Sequence, residues 1–312
     1  MTAAQDLAAR AAAGEPRAVA RLISWVEDGA EGLAEALAAL PSGPAAYVIG
    51  LTGSPGVGKS TVTSTLVAAY RARGARVGVL AIDPTSPFSG GALLGDRIRM
   101  QEHATDEGVF IRSMASRGHL GGMSAATPQA VRVLEAAGCG VVLVETVGVG
   151  QSEVDVAATA DATVVLLAPG MGDGIQAAKA GILEVADIVC VNKADRDGAE
   201  STAREVRQML RLGAPQDGWV VPVVTSSAAR GQIDDLLAAL DDRRAWLDEG
   251  DRWEARRRDR AAAEVLALAT GLARVRLARS LSAEMVEAVA GGRLSAFAAA
   301  QALIEDQGRM EG

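Results

Sequence analysis

Eight consecutive residues, Gly53, Ser54, Pro55, Gly56, Val57, Gly58, Lys59 and Ser60, fill every fixed position of a G-x-x-x-x-G-K-S phosphate loop. Glycines at these positions let backbone N–H groups turn inward around phosphate oxygens. A lysine at Lys59 reaches the β- and γ-phosphates, and the Ser60 hydroxyl can ligate Mg²⁺. The apolar run Ala46–Thr52 precedes the loop and reads as a buried strand. Ser60, Thr61, Val62 and Thr63 open a helix whose positive end faces the same phosphates, so Thr61 belongs to the same set. The pattern predicts a nucleoside triphosphate site.

A second cluster predicts which base is read. The apolar stretch Ile188–Val191 runs into Asn192, Lys193, Ala194 and Asp195. A carboxylate at Asp195 can accept from both the ring N–H and the exocyclic amine of guanine. Adenine offers neither donor there, so a buried unpaired carboxylate would penalise it by a few kcal/mol. Asn192 and Lys193 would brace the loops and pack over the base. Ser226, Ser227 and Ala228, after the next strand, are placed to reach the guanine carbonyl through backbone N–H groups.

Three acidic residues compete for the metal. Asp83 ends a predicted strand, Asp96 lies in the loop Leu94–Arg97, and Glu145 ends the strongly apolar run Val141–Val144. A carboxylate at a strand's carboxyl end belongs near Mg²⁺ or its water shell. Gly148 is placed to sense the γ-phosphate. The next residue is Val149, where many nucleotide hydrolases carry a water-orienting Gln. Intrinsic turnover is therefore expected to be slow unless Gln151, Lys179 or a partner supplies the missing group. His119 has no neighbours at ligand spacing and reads as a loop histidine.

These residues need a scaffold, and the rest of the chain supplies the pattern for one. Strands are expected at Tyr47–Gly53, Val77–Asp83, Val109–Ser113, Val141–Val147, Thr163–Ala168, Ile188–Asn192 and Val220–Thr225. Helices intervene, notably at Ser60–Arg73, Pro128–Ala137 and Ala199–Leu212. Alternation of this kind implies an α/β fold with a mainly parallel central sheet flanked by helices. Helical periodicity before Pro41 and after Asp242 predicts three regions: a helical arm at 1–44, the nucleotide domain at 45–245 and a helical extension at 246–312.

The 312-residue chain is 49% apolar but only 3% aromatic, which suits strands buried on both faces. Its net charge of −8, with no basic stripe interleaved with aromatics, argues against nucleic acid as a partner. The arginines at 252–260 are interrupted by Glu254 and Asp259 and read as a solvated helix face or subunit contact. Cys139 and Cys190 are isolated in or beside apolar segments and are expected to be buried thiols. No apolar run reaches spanning length and no signal peptide is evident, so no membrane is expected and a cytoplasmic location is.

Taken together, Gly53–Ser60, Asp83–Ser86, Gly90–Met100, Arg117–Gly122, Glu145–Glu153 and Asn192–Asp195 resemble the MeaB/MMAA family of P-loop GTPases, once labelled arginine/ornithine transport kinases. The resemblance covers roughly residues 1–310. It implies a P-loop NTPase fold and a chaperone for adenosylcobalamin-dependent acyl-CoA mutases, best known for methylmalonyl-CoA mutase. Such a protein gates cofactor loading with GTP hydrolysis and protects or reactivates the mutase, which stimulates the GTPase in return. It also implies a homodimer formed through the C-terminal helices. Asp173 and Lys179 match charged positions that couple nucleotide state to the mutase. Gly174 departs from the acidic residue common in the family, and Ala178 from a larger aliphatic one. No Asp-x-His-x-x-Gly cobalamin motif is present, so adenosylcobalamin is expected only through the partner.

Three rival functions are weighed on the same residues, one of them a purely regulatory GTP-binding module without meaningful turnover, which Val149 leaves open. Nickel delivery needs soft or imidazole ligands, and two unpaired cysteines with two scattered histidines supply no such set. A kinase linked to amino-acid transport needs an acceptor-site base, of which there is no sign, and Asp195 points to guanine.

Overall fold

The computed structural model describes residues 1–84, 101–103, 105–116, 126–146, 152–170, 182–211 and 218–310. Of the residues singled out above, Asp96, His119, Gly148, Val149, Gln151, Asp173, Gly174, Ala178 and Lys179 lie outside this set.

Seven strands among the described residues form one sheet: β1 (Tyr47–Thr52), β2 (Val77–Pro84), β3 (Val109–Ser116), β4 (Val141–Thr146), β5 (Ala162–Leu167), β6 (Ile188–Val191) and β7 (Val223–Thr225). Their order is β3-β2-β4-β1-β5-β6-β7 and every pairing is parallel. Parallel neighbours need crossovers. These include α4 (Lys59–Ala72), α5 (Thr127–Ala136), α6 (Ser152–Thr159) and α7 (Ala199–Leu210), while α8 (Asp234–Asp248) follows β7. Ahead of the sheet lie α1 (Ala3–Ala12), α2 (Pro16–Asp28) and α3 (Leu33–Ala38). Pro16 stands in the first turn of α2, where its missing N–H costs nothing, and so places the break between the first two helices.

Strand residues alternate between two apolar layers. Ile49, Leu51 and Leu143 pack with Val62 and Leu66 of α4 and with Leu236 and Leu240 of α8. Val48, Val142 and Val144 pack instead with Leu22 and Ile23 of α2 and Val131 and Leu134 of α5. The helical arm thus supplies much of one sheet face. All six residues of β1, β4 and β5 are buried, which explains their nearly continuous apolar sequences.

The expected and observed strands differ by three residues at β3, which runs on to Ser116 and not Ser113, and at β7, which starts at Val223 and not Val220. Pro222 has no N–H to donate to a ladder. Its carbonyl still accepts from Val189 N, so pairing begins at the proline and regular strand only after it.

The chain divides into two compact units, Met1–Arg260 and Ala261–Gly312. Within the first, the opening turns of α9 (Arg252–Ser280) are fastened to the amino ends of the strands. Arg260 pairs with the fully buried Asp161 at 2.7 Å, and the other oxygen of Asp161 accepts from Val48 N. Asp187 pairs with Arg243, whose guanidinium lies 4.5 Å from the ring centre of Trp246. The second unit holds the rest of α9, α10 (Ala283–Ala290) and α11 (Ala296–Met310), and exposes Leu266, Leu272, Phe297 and Ile304. Among the described residues no helix is long and apolar enough to cross a membrane.

Candidate nucleotide site

Every predicted site residue that is described lies at or just beyond the carboxyl end of a parallel strand, or in the first turn of α4. In an open parallel sheet these ends share one edge, where ligands bind beside the point at which strand order reverses. Here β1 is that point: β4 flanks it on one side and β5 on the other.

The chain leaves β1 at Gly53, with φ +139°. A Cβ built there would collide with the carbonyl oxygen of Leu166 on the neighbouring strand, so no side chain fits. Gly58, with φ +96°, hands the loop to α4, and its missing Cβ leaves room for the Asn192 amide. Between them Ser54, Pro55, Gly56 and Val57 form the turn, and Val57 is buried. The amino end of α4 therefore opens directly behind the loop, the end of a helix that favours an anion. Lys59 Nζ donates to the carbonyls of Gly53 at 2.7 Å and Ser54 at 3.2 Å, which ties the ammonium to the start of the loop.

Glu145 comes from β4, in register with Leu51 of β1 and Ala81 of β2. Its carboxylate is buried against α4, where Ser60 Oγ donates to Oε1 at 2.7 Å and Thr63 Oγ1 to Oε2 at 2.9 Å. Next along β4, Thr146 Oγ1 donates to Thr52 Oγ1 at 3.2 Å, joining two strand ends. The backbone of Asp83 lies one position beyond Ile82, which is in register with Thr146. Ser60 and Glu145 are hard oxygen donors. Among the described residues no group of three or more His, Cys, Asp or Glu could hold a metal alone. Such a donor pair fits a cation that keeps several waters and takes further ligands from phosphate, which is the habit of Mg²⁺.

The loop after β6 is bound to the phosphate loop. Asn192 is buried; its Nδ2 donates to Val57 O at 2.9 Å, and its Oδ1 accepts from Ser226 Oγ at 3.1 Å and Ala228 N at 3.2 Å. Lys193 Nζ donates to Gly56 O at 2.6 Å. Among the described residues Lys193 alone has a left-handed backbone without being glycine, with φ +59°. Strain of this kind persists where the surroundings over-determine it, and here Ala194 N is bonded to Ser226 O just beyond it. Asp195 is partly exposed and faces Arg230, at 3.4 Å. Ser227 and Ala228 are buried beside Asn192, and Thr65 Oγ1 of α4 donates to Ala228 O at 3.2 Å.

The structure thus gathers the phosphate loop, Glu145 and the two base-side segments at one edge. Sequence reasoning missed Thr63 and Thr65. Both lie on α4 with Ser60, and Thr63 falls on the same face three residues on, but a threonine inside a helix carries no signal of its own. The thiols of Cys139 and Cys190 are buried, and burial pushes each up to about 12. Cys190 lies beside Ser226, 3.2 Å from its hydroxyl.

Known proteins share both sequence and fold with this chain. The family model described as "Methylmalonyl Co-A mutase-associated GTPase MeaB" matches residues 19–281. A putative GTPase of Pyrococcus abyssi is 43% identical over 310 residues, covering 96% of each chain. The methylmalonic aciduria type A homolog of Mus musculus, a mitochondrial protein, is 40% identical over 193 residues, covering 61% of this chain and 46% of its own. A crystal structure described as a LAO/AO transport system kinase aligns with a TM-score of 0.70 at 26% identity, covering 97% of this chain and 96% of that one. The chain is a GTPase and belongs to the MeaB family of methylmalonyl Co-A mutase-associated GTPases.

Proposed function

We propose that this protein is a Mg²⁺-dependent, guanine-specific GTPase that gates cofactor loading of an adenosylcobalamin-dependent acyl-CoA mutase, with methylmalonyl-CoA mutase the first candidate. The observation that carries the nucleotide part is the Ser60–Glu145 bond, 2.7 Å long, in the helix turn that Lys59 begins. A hydroxyl and a carboxylate beside a loop whose lysine is tied to the Gly53 and Ser54 carbonyls support this reading.

The loop amides, Lys59 and the start of α4 bind the β- and γ-phosphates and stabilise charge that spreads over the γ-phosphoryl oxygens as the bond to the leaving phosphate weakens. Thr61 continues the phosphate-facing turn. Ser60 and Glu145, with Asp83 and Asp96, hold Mg²⁺ or its waters. Mg²⁺ held by these residues would supply positive charge that offsets the charge developing on the phosphates. Gly148 meets the γ-phosphate, and Lys179 contributes charge to the same step. Asp195 selects guanine, Ser226, Ser227 and Ala228 approach its carbonyl, and Asn192 and Lys193 hold the two loops at a fixed spacing.

Val149 in place of a water-orienting Gln supports slow turnover alone and acceleration by a partner. The mutase is named in the family description, which supports it as the partner, and adenosylcobalamin would reach the system only through it. The exposed apolar residues Leu266, Leu272 and Phe297 support a homodimer formed through the C-terminal helices. The three regions 1–44, 45–245 and 246–312 then divide the work into arm, GTPase and dimerisation extension. A cytoplasmic setting is where such a client is met.

Base choice is the part most directly tested by substitution. Asp195→Asn should shift turnover from GTP toward xanthosine triphosphate, whose ring presents an acceptor in place of the exocyclic amine. Retained preference for GTP would remove Asp195 from base recognition.

A further inference from the structure

Thr63 lies one turn beyond Ser60 on α4 and is fully buried. Residues three apart on a helix share a face, so both hydroxyls address β4 and each takes one oxygen of Glu145. Thr63 Oγ1 has a second acceptor within reach, the Lys59 carbonyl at 3.0 Å. A hydroxyl carries one proton, and an ionised carboxylate holds it more strongly than a peptide carbonyl does. The Thr63 proton is therefore directed at Glu145.

That second bond has a consequence for Ser60. The last torsion of a glutamate is soft and roughly two-fold, so a carboxylate held at one oxygen can still swing. Donors on both oxygens, from one rigid helix, fix its plane. Glu145 in turn fixes where the Ser60 proton points, and with it where the Ser60 lone pairs point. We propose that Thr63 is a positioning residue for the metal-binding hydroxyl: by locking the Glu145 carboxylate it sets the Mg²⁺ affinity of the nucleotide-bound protein. The inference rests on Ser60 and Glu145 forming the metal side of the site.

Thr63→Val keeps the side-chain shape and removes the hydroxyl, whereas Thr63→Ser keeps the hydroxyl. Binding of a fluorescent GDP analogue to the full chain is measured in EDTA and then across a Mg²⁺ titration. The expected result for Thr63→Val is a half-saturating Mg²⁺ concentration raised about tenfold, the usual scale for losing a partner of a metal ligand, with affinity in EDTA unchanged. Thr63→Ser should restore the parent titration. Thr63→Ala is the second variant, should the valine not fold, and must show the same split between EDTA and Mg²⁺. An unchanged Mg²⁺ titration, an equal loss with and without Mg²⁺, or failure of the serine to rescue would overturn the role of Thr63. Glu145→Gln is run alongside: if it binds nucleotide with the parent's Mg²⁺ dependence, the metal assignment itself has failed, which is a different result from a failure of Thr63 alone.

Discussion

Asn192 Nδ2 donates to the carbonyl of Val57 at 2.9 Å, a bond across 135 positions of sequence. Through it the loop that ends β6 and the loop that ends β1 become one unit, although β5 lies between their strands. The same side chain accepts from Ser226 and Ala228, so one buried amide holds three segments together.

Asn192→Ala should therefore cost more than a surface amide would. It leaves the Val57 carbonyl, the Ser226 hydroxyl and the Ala228 N–H without this partner, at about 1–3 kcal/mol for each group left unsatisfied. Relaxation and water recover part of that, and the expected loss of stability is about 2–4 kcal/mol. Urea denaturation measures it; a loss below about 1 kcal/mol would show the bridge to be dispensable.

Gly53→Ala tests the loop from the other side. The added methyl meets the Leu166 carbonyl oxygen, which is backbone in the middle of a sheet and cannot step aside. The variant should keep the far-ultraviolet dichroism of the parent while losing GTP binding by more than about a hundredfold, because the loop amides are thrown off the phosphates. Normal GTP affinity in equilibrium dialysis would mean that the loop does not hold the phosphates as described.

The two cysteines give a prediction with a pH sign. Thiolate is the reactive form, and burial pushes Cys139 and Cys190 up to about 12. Neither should react with a disulfide reagent at pH 8 until guanidinium is added, when two thiols per chain should appear. The fold keeps protons that the unfolded chain releases near pH 9, so these thiols lower stability as pH rises from about 9 toward 12 and have no effect below. Fast native-state labelling of either thiol would contradict their burial.

At the opposite end of the strands, Arg260→Met should strand the Asp161 carboxylate. A buried pair broken from one side costs about 3–5 kcal/mol, reduced here because Asp161 still accepts from Val48 N. Adding Asp161→Asn should recover most of the loss. Thermal unfolding of the two variants decides this, and no gain in the double variant would mean the pair does not anchor α9.

Much of this arrangement was legible in the sequence, for identifiable reasons. The phosphate loop and the Asn192–Asp195 segment are read easily because each packs its function into consecutive residues, and because buried parallel strands leave continuous apolar runs such as Val141–Val144. Glu145 was legible as a charge closing such a run. Thr63 was not, since a threonine inside a helix has an ordinary reason to be there and its partner lies 82 positions away. Nor was the role of Asp161 and Asp187, whose pairing with arginines of α8 and α9 depends on how the chain returns to the sheet's amino edge. The start of β7 was set too early because Pro222 was not weighed against the ladder it interrupts.

Whether this GTPase serves a cobalamin-dependent mutase is decided by GTP hydrolysis by the pure protein, alone and with an adenosylcobalamin-dependent acyl-CoA mutase from the same genome. Slow turnover alone and acceleration of about tenfold or more by the mutase are expected if the partner completes the site. Tight GTP binding with no acceleration by any encoded mutase of this class would contradict that role.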